Sequence, residues 1–260
     1  MDFLQIGNMS VGNERNITEN IMGYKYELHI HTSEVSKCSN CPAAKQVEVY
    51  HAMGYAGICI TNHYFRGNTS IPRDVSFEEQ IRYYVRPYEL AKEAAKGTGM
   101  DVFLGWEYAA GGGSEFLILG LDTDWLLRYP DQMQWTPAEY FGRVRADGGM
   151  VIQAHPYRQA SYIDTIRLMP WHVDGVEVCN ASNRDFDNEM AVHYAKMYNL
   201  PMYAASDNHS GKVRRLAGVE ADRRYDSIVD MLKAAASHPE WLFCEPMPQI
   251  DVHVPGDDAK

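Results

Sequence analysis

The sequence lacks any apolar run near the roughly 18 consecutive residues that a membrane-spanning helix needs, so no membrane partner is expected. Its first residues, Met1 to Asn8, lack the basic start and long apolar stretch of a secretory leader, which points to a cytoplasmic protein. Positive charge is scarce: 24 Lys and Arg stand against 35 Asp and Glu, for a formal charge of −11. That balance argues against a protein that grips long nucleic acid through its phosphates, which takes a basic footprint. A small anionic ligand stays compatible, because it answers to local cations more than to net charge. Cysteine is sparse as well. Cys38, Cys41, Cys59, Cys179 and Cys244 are scattered and odd in number, which suits a reducing compartment better than a disulfide framework.

What is present is a chain of 260 residues, 45% hydrophobic, long enough to bury one substantial core. Residues 1–22 are polar and read as an N-terminal arm, 23–245 as one domain and 246–260 as an irregular tail. The first strand runs from Tyr24 to His31. A helix from Pro42 to about Met53 and a buried strand over 57–61 follow. Ser76 and Glu79 form a capping-box pattern that opens a helix with Ile81, Tyr84, Val85, Tyr88, Ala91 and Ala95 on one face. Strands over 101–107 and 115–120 flank Gly111-Gly112-Gly113, read as a hairpin turn because no helix with Lys and Ser or Thr follows, as a phosphate cradle requires. Further on come a helix over 136–147, strands over 150–154 and 175–179, and a helix with Phe186, Met190, His193, Tyr194 and Met197 on one side. A strand over 201–205 and a last helix over 226–237 complete the series. Strands alternating with helices predict an α/β fold with a parallel sheet closed into a TIM-like β/α barrel.

Most of these strands empty into a metal-binding type of side chain. His29 and His31, two apart on a strand, point to one face. In a β/α barrel every parallel strand ends on the same rim, so His29, His31, His63, Glu107, His155, Asn180, Asp207 and His209 would gather at one mouth. Imidazole with carboxylate suits Zn²⁺, Mn²⁺ or Fe²⁺, and the want of clustered thiolates argues against a purely structural zinc. The donors outnumber what one ion uses, which implies two or three divalent ions. His51, His193 and His238 in helices, and His172 and His253 in loop or tail, read as structural. A C-x-x-C at Cys38 and Cys41 without a second pair makes no zinc knuckle.

From about residue 24 to 220 the chain resembles the PHP (polymerase and histidinol phosphatase) superfamily. The resemblance rests on His29-Ile30-His31-Thr32, Thr61-Asn62-His63, Gly105-Trp106-Glu107, His155-Pro156, Glu177-Val178-Cys179-Asn180 and Asp207-Asn208-His209, in that order. It implies a distorted (β/α)7 barrel with a trinuclear site. By position, His29, His31, Glu107 and Asp207 would hold one metal, Glu107 would bridge to a second held by His155, and His63 and His209 would hold a third. Asn62 stands where the family has Asp, and Asn180 where some members have His. Cys38 lies in a loop where members supply another ligand, so Cys38 and Asn180 are candidate further ligands. The activity implied is hydrolysis of a phosphate ester by a metal-bridging hydroxide, with Glu107, His155, Asp207 and His209 as the catalytic group. Arg66, Arg158, Arg184 and Arg214 are candidate phosphate grips. A small phosphomonoester of the histidinol-phosphate or nucleotide kind is the expected substrate. The alternatives are a phosphodiesterase or nuclease acting on nucleotides or short oligonucleotides, an amidohydrolase-type hydrolase, and a non-catalytic metal-binding module.

Overall fold

Tyr26 to Ile30 is buried throughout, a pattern that only a strand covered on both faces tolerates. It belongs to β1 (Tyr24–Ile30), an interior strand of a mixed sheet in the computed structural model of this protein, which describes residues 23–245. In chain order follow α1 (Ala43–Ala52), β2 (Tyr55–Ile60), α2 (Phe77–Ala95), β3 (Asp101–Gly111), β4 (Ser114–Leu119), α3 (Thr123–Arg128), α4 (Pro137–Ala146) and β5 (Met150–Gln153). The remainder comprises β6 (Gly175–Asn180), α5 (Asp185–Met197), β7 (Met202–Ala205), β8 (Ala217–Ala221), α6 (Ile228–Ala235) and β9 (Leu242–Cys244). The arm at 1–22 and the tail at 246–260, with His253, lie outside the described residues. No helix among the described residues is long and apolar enough to cross a membrane.

The strands are ordered β7-β6-β5-β4-β3-β2-β1-β8-β9. A parallel bridge between Ile30 and Asn208, just past β7, brings the two ends together; the His31 amide donates to the Asn208 carbonyl at 2.9 Å. The result is the expected TIM-like barrel of distorted type, with β8 and β9 continuing the sheet beyond β1.

The sheet is not uniformly parallel. β4 runs antiparallel to both β3 and β5, because Gly111, Gly112 and Gly113 all adopt positive φ and turn the chain back within three residues. That is far too short for the crossover that a parallel neighbour needs. β8 is likewise antiparallel to β1.

An aromatic wall supports the β3–β5 side. Trp106, Tyr64, Tyr84, Tyr108, Trp125, Tyr140 and Phe141 pack together, and the Trp106 indole donates to the Tyr140 hydroxyl at 2.9 Å. Truncating Trp106 to Ala would cost about 3–5 kcal/mol. The expected helix caps are present: Ser76 with Glu79, and Thr136 with Glu139, close reciprocal capping boxes.

Three sequence expectations are corrected. The inner face of α5 is not that of Phe186 and Met197, which are exposed, but of Ala191, Tyr194 and Ala195. Two alanines let the helix lie close on β6 beside Tyr194, which was expected on this face, and Phe186 and Met197 are left outside. α3, β8 and β9 were not anticipated, being too short to show a period. Finally, Cys179 on β6 and Cys244 on β9 form a disulfide across 65 residues of sequence, with Cα atoms 6.3 Å apart. The cysteines are therefore not all free, as their scatter suggested; Cys38, Cys41 and Cys59 are.

Candidate metal centre

β1 delivers His29 and His31 fully buried, with their Nε2 atoms 3.1 Å apart. What aims them is the bonding of their other nitrogens. His29 Nδ1 lies 2.9 Å from Glu177 Oε1, which can only accept, so that nitrogen carries a proton. His31 Nδ1 lies 3.0 Å from Ser36 Oγ. The Ser36 hydroxyl proton goes to Asn62 Oδ1 at 2.8 Å, so Ser36 must accept from His31, and His31 Nε2 is left bare.

Glu107 and Asp207 meet these two nitrogens. His29 Nε2 is 3.2 Å from Glu107 Oε1 and 3.3 Å from Asp207 Oδ1. His31 Nε2 is 3.5 Å from Glu107 Oε2 and 3.1 Å from Asp207 Oδ1. On one flank His155 Nε2 lies 3.1 Å from Glu107 Oε1. On the other, His63 Nδ1 is 2.6 Å from Glu107 Oε2, and its Nε2 is 3.2 Å from Cys38 Sγ. The His209 ring stacks on His31 with centroids 4.1 Å apart, and His31, His63 and His209 form one cluster of potential ligands. The rim thus gathers every histidine and carboxylate expected there. Of the remaining histidines, His238 pairs with Glu240 on the surface.

The residues fit a cation. Glu107 Oε2, Asp207 Oδ1 and His63 Nδ1 are buried without an aligned hydrogen-bond partner, a costly state that a metal ion would relieve. Although burial opposes charge, His29 is held well above its ordinary value by Asp207, Glu177 and Glu107, so the local field favours positive charge. Burial would likewise raise Glu107, yet His63 and His29 hold it well below the carboxylate range. Burial, with His209 and His63 nearby, keeps His31 well below its usual value. Cys38 is raised by burial but brought down to about 6 by hydrogen bonding to His209 and His63, so it is a thiolate at neutral pH.

Backbone strain marks the same place. His155 and Asp207 adopt φ of 27° and 55°, a region disfavoured for residues other than glycine, at a cost of about 1–3 kcal/mol each. Glu177 anchors the first of them by accepting from the His155 amide at 2.8 Å.

Asn62 and Asn180 do not join the cluster. Asn62 Nδ2 donates to Thr32 Oγ1 and its Oδ1 accepts from the Thr32 amide, so it braces the His31 loop. Asn180 donates to Glu177 Oε2 and accepts from Arg158 and the Ser182 amide, which occupies both ends of its amide. Of the four candidate arginines, only Arg158 reaches the cluster. Its Nη2 is 2.6 Å from Asp207 Oδ2, and Asn183 accepts from its Nε. Arg184 pairs with Asp187 but lines, with Arg158 and Tyr162, a cleft of about 340 Å³ that opens on Asp207 and His209. Arg214 lines a neighbouring cleft of about 770 Å³ with Lys212 and Arg215. Arg66 turns away to the Met133 carbonyl.

Sequence reasoning passed over Glu177, Glu27 and Glu115. Glu27 accepts from the His29 and Ser206 amides and so ties β1 to the end of β7. The available signal for Glu27 and Glu177 was a lone carboxylate inside a buried apolar run.

No family model matches the sequence, and no curated protein matches it. Solved structures do. A two-domain protein of Bacteroides vulgatus, containing a predicted PHP-like metal-dependent phosphoesterase, superposes with a TM-score of 0.64 at 19% identity, over 86% of this chain and 65% of that one. The chain therefore spans about two thirds of that protein's length. The lesion-specific endonuclease Q of Pyrococcus furiosus gives 0.57 at 13% identity, over 84% and 56% of the two chains. An amidohydrolase of Chromobacterium violaceum, solved with bound sulfate, gives 0.53 at 14%, over 83% and 99%. These likenesses define the class by architecture: the chain has the PHP-type barrel fold.

Proposed function

We propose that this protein is a metal-dependent phosphoesterase that hydrolyses a small phosphate ester, and that the ions sit in the rim cluster. The observation that carries the reading is the set of buried carboxylate oxygens without aligned partners, gathered with imidazole nitrogens within ligand distance of one another. His29, His31, Glu107 and Asp207 would hold one ion, Glu107 and His155 a second, and His63 and His209, with Cys38, a third. Zn²⁺, Mn²⁺ and Fe²⁺ all suit such donors. When bound, the ions supply a nucleophile at neutral pH and neutralise charge on the transferred phosphoryl group.

The chain's own residues prepare the site. Glu177 and Ser36 fix the rings of His29 and His31, and Glu177 also pins the backbone of His155. Arg158 is the phosphate grip. Asn180 and Asn183 orient its guanidinium beside Asp207, where two of its donors can meet phosphate oxygens. Arg184 and Arg214 line the approach and favour an anion by charge. The clefts are of a size for a small ester.

A second reading, cleavage of a phosphodiester in a nucleotide or short oligonucleotide, draws on the fold shared with endonuclease Q; the net charge of −11 weighs against a long polymer. An amidohydrolase reading draws on the Chromobacterium neighbour, but no lysine stands at the C-terminal end of a strand among the described residues to form the carboxylated bridge usual in that type. The test is elemental analysis of the purified protein together with turnover of a generic phosphomonoester, with and without chelator. Two or more ions per chain and chelator-sensitive turnover are expected. Fewer than two ions and no chelator-sensitive activity would sink the reading.

A further inference from the structure

Glu115 is a carboxylate at the rim to which the proposed function gives no task. It opens β4, and because β4 runs against its neighbours, the start of this strand lies at the rim where β3 and β5 end. Ala109 of β3 pairs with it on one side, and on the other the Ala154 amide donates to its carbonyl at 3.0 Å. Glu107 pairs with Leu117 two residues along, so Glu107 and Glu115 share a face of the sheet as diagonal neighbours.

Their carboxylates reach the same two imidazoles. Glu107 lies 2.6 Å from His63 Nδ1 and 3.1 Å from His155 Nε2. Glu115 Oε1 lies 3.5 Å from His63 Nδ1, and its Oε2 3.6 Å from His155 Nε2, too far for hydrogen bonds. Two acids and two imidazoles therefore alternate around a closed ring, and ligand atoms of His63, Glu107 and Glu115 fall within 4.8 Å of one another. Into this ring point two orphaned buried atoms, Glu107 Oε2 and His63 Nδ1. The Glu115 side chain is only 12% exposed. Two carboxylates confined this closely repel unless one is protonated or a cation lies between them.

We infer that Glu115 is a metal ligand, and that with Glu107 and the imidazoles of this ring it completes the coordination of an ion on the β3–β5 side of the rim. Two carboxylates beside imidazole make this a position for a harder divalent ion, so Mn²⁺ binds here well. The inference rests on the metal-dependent reading above, and the test separates the two.

Glu115→Gln keeps the shape and removes the charge; Glu115→Asp keeps the charge on a shorter arm. Mn²⁺ binding to metal-stripped wild type and both variants is followed by the electron paramagnetic resonance signal of the free ion, which disappears on binding. Circular dichroism of the metal-free proteins checks the fold. Wild type is expected to take up one more Mn²⁺ per chain than Glu115→Gln, or to bind its weakest ion about tenfold or more tighter, with Glu115→Asp between the two. If Glu115→Gln matches wild type in number and affinity, Glu115 is not a ligand and the metal-dependent reading stands. If wild type binds no Mn²⁺, and elemental analysis finds no other ion, both fall. Should Glu115→Gln fail to fold, the Glu115→Asp titration decides: affinity equal to wild type overturns the inference, and a loss upholds it.

Discussion

On the β6 side of the rim, Asn180, Glu177 and the Nε of Arg158 have their donors and acceptors taken up by one another and by nearby backbone or Asn183. Across the mouth, Glu107, Glu115, His63 and His155 face one another with atoms unmatched. Both sides are built around buried carboxylates. The difference lies in whether the protein itself completes the bonding. Where it does, the residues orient their neighbours; where it does not, a missing cation is the simplest completion. Residue type at a strand end therefore marks a place on the rim, and saturation marks the task.

The sharpest way to break this contrast is to remove a residue from the unsaturated side. Asp207→Ala and His155→Ala should each lower turnover by about 10³-fold or more, the several kcal/mol that a metal contributes to the transition state, with loss of bound metal and an intact circular dichroism spectrum. Full rates in both variants would mean that the ions lie elsewhere. Glu177→Gln tests the saturated side. It leaves every ligand in place but weakens the bond that aims His29, so metal affinity should fall by roughly 10–100-fold, measured by competition with a chromophoric chelator. An unchanged affinity would mean that packing alone aims the ring.

Proton competition gives a third measure. Glu107 and the other cluster carboxylates, working against burial, raise His63 to about 11, so in the metal-free protein this ring holds a proton throughout the neutral range. An ion must displace that proton. Affinity should therefore fall by about tenfold per pH unit on acidification for each proton displaced, with protons released on binding detectable in weakly buffered solution. A flat profile between neutral and mildly acid pH would remove His63 from the ligands. The smallest effect is expected from Asn180→Ala. Metal content should hold, while the lost hydrogen bond to Arg158 raises KM by about tenfold or less. A drop in metal content instead would move Asn180 to the other side of the comparison.

Much of this rim was legible in the sequence because parallel strands deliver their last residues to one place. His29, His31, His63, His155 and Asp207 follow that rule, whereas Glu107, expected to end its strand, lies four residues before the end of β3 at Gly111 and meets the rim across the bridge to His63. Glu115 does not follow it, since it begins a strand that runs the other way, and the rule looks only at ends. Glu177 was visible as a letter of a motif, but its work, three hydrogen bonds to His29, His155 and Asn180, depends on partners up to 148 residues away. The same holds for the pairing of Cys179 with Cys244. The face of α5 was misread in part, at Phe186 and Met197, because periodicity ranks residues by hydrophobicity, whereas packing on β6 took Ala191 and Ala195 beside Tyr194.

The seam at Ile30 and Asn208 carries a consequence for folding. It joins segments separated by roughly 180 residues, so the loop that it closes is long and its loop-closure entropy is among the largest in the described fold. His29 and His31 lie on one lip of that seam, Asp207 and His209 on the other. An ion held by both lips acts as a clasp: it ties the first strand to the last segment of the barrel, and its binding energy is set against the entropy of a long open loop.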